Sequence, residues 1–168
     1  GTLVLSALPY AVAACANITG GAVSDALVRR LGLKWGRQVL GIAGLGSASL
    51  LAIAIMATEQ QLITIVLLSL VYGGITLQQS GVFGVCLDIG GKHAGSMVGL
   101  MNTSAQVGAL LSSLAYGYIV DRFHSYDAPF VPMAALLFVG ALLWLRIDAS
   151  REIGSEAIAV QVRMVARS

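Results

Sequence analysis

Charge is scarce in this chain: 11% of its 168 residues are Asp, Glu, Lys or Arg, against about 25% in soluble globular domains. A soluble domain is excluded on that ground. With a net charge of +2, and with its cations gathered in a loop and a tail, nucleic acid is not an expected partner. Two cysteines, Cys15 in the middle of one apolar run and Cys86 near the end of another, sit at different depths and make no disulfide framework. The two histidines, His93 and His124, fall in separate loops, and no His/Cys/Asp/Glu cluster has metal-ligand spacing, so neither a metal centre nor a catalytic constellation is expected. Gly90-Gly91-Lys92 lacks the upstream glycine and the following Ser or Thr of a phosphate loop, which leaves no cofactor implied and no enzyme.

What is present is apolar surface, 57% of residues, with a mean hydropathy of +0.85. Crossing the hydrocarbon core takes about 20 residues of helix. Five uncharged runs meet that need, at 2–23, 38–58, 62–87, 94–120 and 128–145. Outer-membrane strands alternate over about 10 residues, whereas these runs are apolar on every face, so the fold class expected is all-α, a polytopic protein with five transmembrane helices. The domain reading is a transmembrane half-bundle over 1–148 and a cytoplasmic tail over 149–168.

Orientation follows from the cations. Arg29, Arg30, Lys34 and Arg37 lie in the first connection, Lys92 in the third, and Arg146, Arg151, Arg163 and Arg167 after the last run, while the opposite side holds only Arg122. Short connections rich in Lys and Arg stay in the cytoplasm. The expectation is an outside start, a cytoplasmic C-terminus and a multi-pass protein of the inner cell membrane. An odd number of spans, opening at Gly1 already inside an apolar run, predicts a piece of a longer chain.

The first connection carries Gly21-x-x-x-Asp25 and then Gly36-Arg37, which resembles the cytoplasmic-loop signature of the major facilitator superfamily of transporters. Ala26 follows Asp25, a looser form similar to the anion:cation symporter branch. Leu8-Pro9-Tyr10, the run Asp88, Ala94, Gly95, Gly99 and Asn102, then Gly117-Tyr-Ile-Val-Asp121 and Ala128-Pro-Phe130 carry the same resemblance over about 1–146. It implies the C-terminal half of a transporter, from the eighth helix to the twelfth, whose partner is the N-terminal half. No charge lies inside any span, so the resemblance places the coupling carboxylate and the substrate-anchoring cation in that other half.

Four residues are candidate substrate contacts. Gly95, Gly99, Asn102 and Gln106 follow at steps of four, three and four and share one helix stripe. Unpaired amides at mid-membrane are costly, so Asn102 and Gln106 line a cavity or bond a neighbouring helix; the symporter branch places a substrate-contacting asparagine at the position of Asn102. Gln79 shares a stripe with Tyr72, Thr76 and Phe83, while Gln78 aligns with Gly74 and Gly81 on a packing face. Asn17 belongs to a stripe with Tyr10, Gly21 and Ser24, a Gly-rich face on which an asparagine lines the cavity or bonds a neighbouring helix. Gly91, Gly95 and Gly99, four apart, are expected to admit a close helix neighbour. Asp25, disfavoured at a helix C-terminus, needs a cation, and Arg29 at i+4 is the expected partner; Asp25, Arg29, Arg30 and Arg37 together make a candidate cytoplasmic gate loop.

The function these features imply is secondary transport of a small organic anion, a sugar acid or aromatic carboxylate, coupled to a proton or sodium ion by alternating access in the lipid bilayer. The alternatives are a proton-coupled drug exporter of the same superfamily and a five-span membrane scaffold.

Overall fold

The computed structural model describes residues 2–150, and among them every regular element is a helix. Long uncharged runs make this the stable outcome, since a helix satisfies its own backbone where no water can. The first element, α1 (Thr2–Ile55), departs from helical geometry at one residue, Gly32, with φ 83° and ψ 167°. The expected loop over the basic stretch is therefore a one-residue reversal between two arms, 2–31 and 33–55. A positive φ is cheap only for glycine. The arms close tightly, for a Cβ at Gly36 would lie 2.5 Å from the backbone nitrogen of Val28.

Next comes α2 (Gln61–Gly90), which runs parallel to the first arm and antiparallel to the second. A Cβ at Gly20 would lie 2.6 Å from the Leu77 carbonyl oxygen, and Cβ atoms at Gly44 and Gly74 would lie 2.7 and 2.8 Å from each other's carbonyl oxygens. Small residues let the backbones meet, which is how apolar helices associate where no hydrophobic drive between them exists. The Tyr10 and Tyr72 rings meet edge to face, centroids 6.2 Å apart.

Gly91, at φ 45°, turns the chain through a short 3-10 turn (Gly91–His93) into α3 (Ala94–Phe123). His124, in the left-handed region, ends α3; α4 (Phe130–Leu143) then follows and closes with a 3-10 turn, Trp144–Arg146. Packing is uneven. Ala48, Ala52, Ile55, Val71 and Ala134 form one core between the second arm, α2 and α4. Val85, Trp144 and Ala149 form a second core, so the tail expected from residue 149 begins as a packed segment; residues 151–168, with the rest of that expected tail, lie outside the described residues.

α3 is the exception, with no buried residue. It approaches α2 and the 3-10 turn before it, and no Cα of α3 lies within 8 Å of one in α1 or α4. The close packing expected along Gly91, Gly95 and Gly99 is not made within the described residues. A Cβ at Gly95 or Gly99 would find nothing within 4 Å, and Gly91 serves the turn instead. The physical reason is rotational: only the side of α3 that carries Met97 and Met101 meets α2, where Met97 packs near Gly90 and the Met101 sulfur lies 3.8 Å from that of Cys86.

Candidate functional site

The Gly32 reversal, the Gly91–His93 turn and the segment after α4 all lie at one end of the bundle, and the paired charges gather there. Arg37 lies near the start of the second arm, on the face turned toward both the first arm and α2. Its Nε donates to Asp88 Oδ2 at 3.0 Å, and its Nη1 donates to the buried hydroxyl of Ser24 and lies 3.6 Å from Asp25 Oδ1. The guanidinium lies over Gly84, where a Cβ would be 2.4 Å from Cζ. Three helical segments thus converge on one cation whose side chain is 11% exposed. An ion this sheltered stays only if its hydrogen-bonding capacity is met, and removing one partner costs more than the pair contributes.

Asp25 is therefore paired with Arg37 and not with Arg29. The one-residue turn brings Arg37 back across the helix end, where it meets the carboxylate from a sheltered position, while Arg29 and Arg30 stay exposed. The sequence offered Arg37 and Asp25 as members of a gate loop; Ser24, Gly84 and Asp88 were missed as members of one network. Asp88 carried a signal as a motif residue ending an apolar run. Ser24 and Gly84 carried none beyond their small size.

On the other side of the second arm, Gln38, 2% exposed, donates through Nε2 to the carbonyl oxygens of Leu145 at 3.2 Å and Ile147 at 2.6 Å. Those carbonyls have run out of helix, and the amide caps them. Lys34 Nζ lies 3.4 Å from Asp148 Oδ2. The Ser150 hydroxyl and amide, with Lys34 in support, hold the Asp148 carboxyl below its usual range. The Trp144 indole fills the notch left by Gly41, where a Cβ would come within 2.1 Å of the ring.

The polar candidates are spread over two helices and the first arm. Asn102, Gln106, Gln79 and Asn17 are all exposed. The Tyr10 and Tyr72 contact sets the Asn17 stripe beside the Gln79 stripe at one end, but Thr76 and Ser24 leave those stripes: Thr76 is buried and donates to the Tyr72 and Gly73 carbonyls, and Ser24 belongs to Arg37. Gln78 lies against Gly44, and its Oε1 is buried with no hydrogen-bond partner. Among the described residues no group of His, Cys, Asp or Glu has the arrangement of a metal site.

The stretches Ala7–Ile55 and Gln61–Phe123 are long and apolar enough to cross a membrane. Outward leucines such as Leu50, Leu111 and Leu136, on helices that keep their paired charges at one end, suit lipid, and with the transporter relatives below they make this a membrane protein. No protein-family model and no solved structure matches the chain. Curated relatives identify the class further. The chain is 34% identical over 146 residues to the probable sulfoacetate transporter SauU of Cupriavidus necator, covering 86% of this chain and 34% of that protein. It is 32% identical over 144 residues to the chloroplastic ascorbate transporter of Arabidopsis thaliana, covering 84% and 26%. To the human sodium-dependent phosphate transport protein 3 it is 33% identical over 122 residues, covering 71% and 28%. Over most of its length the chain is homologous to anion transporters, as the resemblance implied, and its relatives are transporters and not enzymes. It spans between about a quarter and a third of the length of the curated relatives it matches.

Proposed function

We propose that the chain belongs to a secondary active transporter of a small organic anion, of the major facilitator type and its anion:cation symporter branch. The observation that carries the reading is the homology to transporters named for sulfoacetate, ascorbate and phosphate, all small oxyanions. In this reading the two arms of α1, α2, α3 and α4 are five membrane crossings. The end that holds Arg37, Asp88 and Lys34 faces the cytoplasm of an inner cell membrane. A proton or sodium ion couples the cycle, and the rest of the transporter supplies the charges that no span here contains.

Within that cycle the Arg37 network has a definite part. It ties the first arm, the second arm and α2 at one end, so these three segments move as one body when the halves of the transporter rock. Asp25, on the rim of the network with a side chain 65% exposed, is the member free to meet the other half and act in the gate. Asn102, Gln79, Gln106 and Asn17 are the exposed amides that contact the anion or its path.

The test is uptake. The whole protein, reconstituted in vesicles, is expected to accumulate a radiolabelled sulfonate or carboxylate when a proton or sodium gradient is imposed, and to stop when the gradient is collapsed. Accumulation that ignores both gradients would remove the coupling, and absence of uptake for sulfonate, carboxylate and phosphate alike would remove the substrate class.

A further inference from the structure

One face of α2 carries Tyr72, Gln79, Phe83, Cys86 and Gly90, which fall within about 60° of one another at 100° per residue. Its two ends are covered by different helices. At one end Met97 packs near Gly90 and Met101 reaches Cys86, so α3 closes the face; at the other the Tyr10 ring of the first arm stands edge to face on Tyr72. Between the ends Gln79 is exposed, and no Cα of α1 lies within 8 Å of one in α3. A recess results, floored by α2 and flanked by the first arm and α3. Neither phenol hydroxyl and no atom of the Gln79 amide has a hydrogen-bond partner among the described residues. The Tyr72 ring is thus fixed by packing while its hydroxyl is left for something outside the fold.

We propose that Tyr72 is a specificity-determining contact for the transported anion, held in place by Tyr10, and that with Gln79 it selects an anion carrying oxygen groups at both ends over a compact one. The inference rests on the transporter reading above and names the substrate class within it. Tyr72 and Gln79 are seven residues apart on one stripe, so their Cα atoms stand about 10 Å apart along the axis, and both side chains lean the same way. Spacing then selects the ligand. A hydrogen bond of about 3 Å at either end leaves about 4 Å between the ligand's own oxygens, a distance that a short chain between two carboxylate or sulfonate groups spans and one compact group does not. Both side chains donate without carrying charge, so they read the shape of the anion and leave its neutralisation to the rest of the transporter. Tyr10 is a positioning residue. Its ring packs on Tyr72 and fixes where that hydroxyl stands, while the opposite end of the recess is closed by Met97 and Met101.

The experiment is uptake, by the protein as the cell makes it and reconstituted in vesicles, of three probes: sulfoacetate, with oxygen groups at both ends, and methanesulfonate and phosphate, each with one. The wild type is expected to half-saturate at a several-fold lower concentration of sulfoacetate than of either compact probe. Tyr72→Phe keeps the ring and removes only the hydroxyl, so it is expected to raise the sulfoacetate value about tenfold, the size of one lost hydrogen bond to a charged group, and to leave the methanesulfonate value within about twofold. Tyr10→Phe should change neither value, whereas Tyr10→Leu, which removes the supporting ring, should follow Tyr72→Phe. No effect of Tyr72→Phe would make the pair mere packing, and a loss that moves all probes together would make it structural; either result overturns the proposal. Phosphate or methanesulfonate preferred by the wild type would overturn it too, while leaving the transporter reading in force. Uptake of none of the three by the wild type is the failure of that reading, and the proposal falls with it.

Discussion

Replacing Gly84 with alanine tests the Arg37 network with one methyl group. The new Cβ would lie 2.4 Å from Arg37 Cζ, and ordinary contact begins at 3.4 Å, so the guanidinium must retreat by about 1 Å. The retreat itself is easy, because a long side chain can swing. Its cost lies in what is left behind: the 3.0 Å bond from Nε to Asp88 cannot survive a displacement of that size, and Asp88, 22% exposed on its side chain, keeps little water to replace it. A hydrogen bond to a charged group contributes about 1.5–3 kcal/mol, and partial solvent access trims this to about 1–2 kcal/mol for the network. Thermal or detergent-titrated unfolding of the purified protein is the assay, with Gly95→Ala as control, since nothing lies within 4 Å of a Cβ there and its change should stay within about 0.5 kcal/mol. The decisive measurement is the double variant. In an Arg37→Met background the Gly84→Ala cost should largely disappear, because no guanidinium remains to be displaced from its carboxylate. An undiminished cost in that background would refute the account and assign Gly84 to backbone packing alone.

Cysteines at Lys34 and Lys92 should resist a membrane-impermeant thiol reagent added outside intact cells, while one at Ser125 should label; the reverse pattern would invert the orientation read from the cations. Asn102→Ala and Gln79→Ala should each raise the half-saturating anion concentration, by an amount equivalent to about 1–3 kcal/mol if the amide leaves a substrate oxygen unpaired, and unchanged uptake kinetics would take these residues off the path. For Asp148 the sign is that of a depressed carboxyl. Its folded-state value lies below the ordinary 3.8, so the contact with Lys34 and Ser150 is intact above that pH and is lost as pH falls through the lowered value. In a Trp35→Phe variant, Trp144 emission should hold steady from about pH 8 to 5 and redden only below about pH 4, and a transition near neutrality would point to another group.

The helices were legible because each apolar run is long and uncharged, and lipid leaves the backbone no other choice. Their ends were less so. The stretch 24–37 looked like a loop because it is polybasic, but charge alone does not unwind a helix; Arg29 and Arg30 stand exposed on helical backbone, Lys34 reaches Asp148 from it, and only Gly32 departs from it. Asp25 was given to Arg29 by the i+4 rule, which holds for a straight helix and fails where the chain doubles back two turns later. Gln38 looked like the start of an apolar span. Its role as a cap for carbonyls more than 100 residues away has no local sequence signal. Asn102 and Gln106 share a stripe in both readings, because that depends on periodicity alone; what the stripe faces is not decided by the packing among the described residues, where α3 meets only α2 and the turn before it.

A one-residue reversal leaves no slack. Most connections absorb an added residue at small cost, but Gly32 joins two helices directly, so every residue inserted beside it would turn the second arm by about 100° and push it along by about 1.5 Å. One insertion would swing Arg37 away from Asp88, Gly44 away from Gly74 and Gln38 away from the carbonyls after α4, all at once. The turn thus acts as a phase marker for half the bundle: side chains along this stretch are open to exchange, while its length is held fixed.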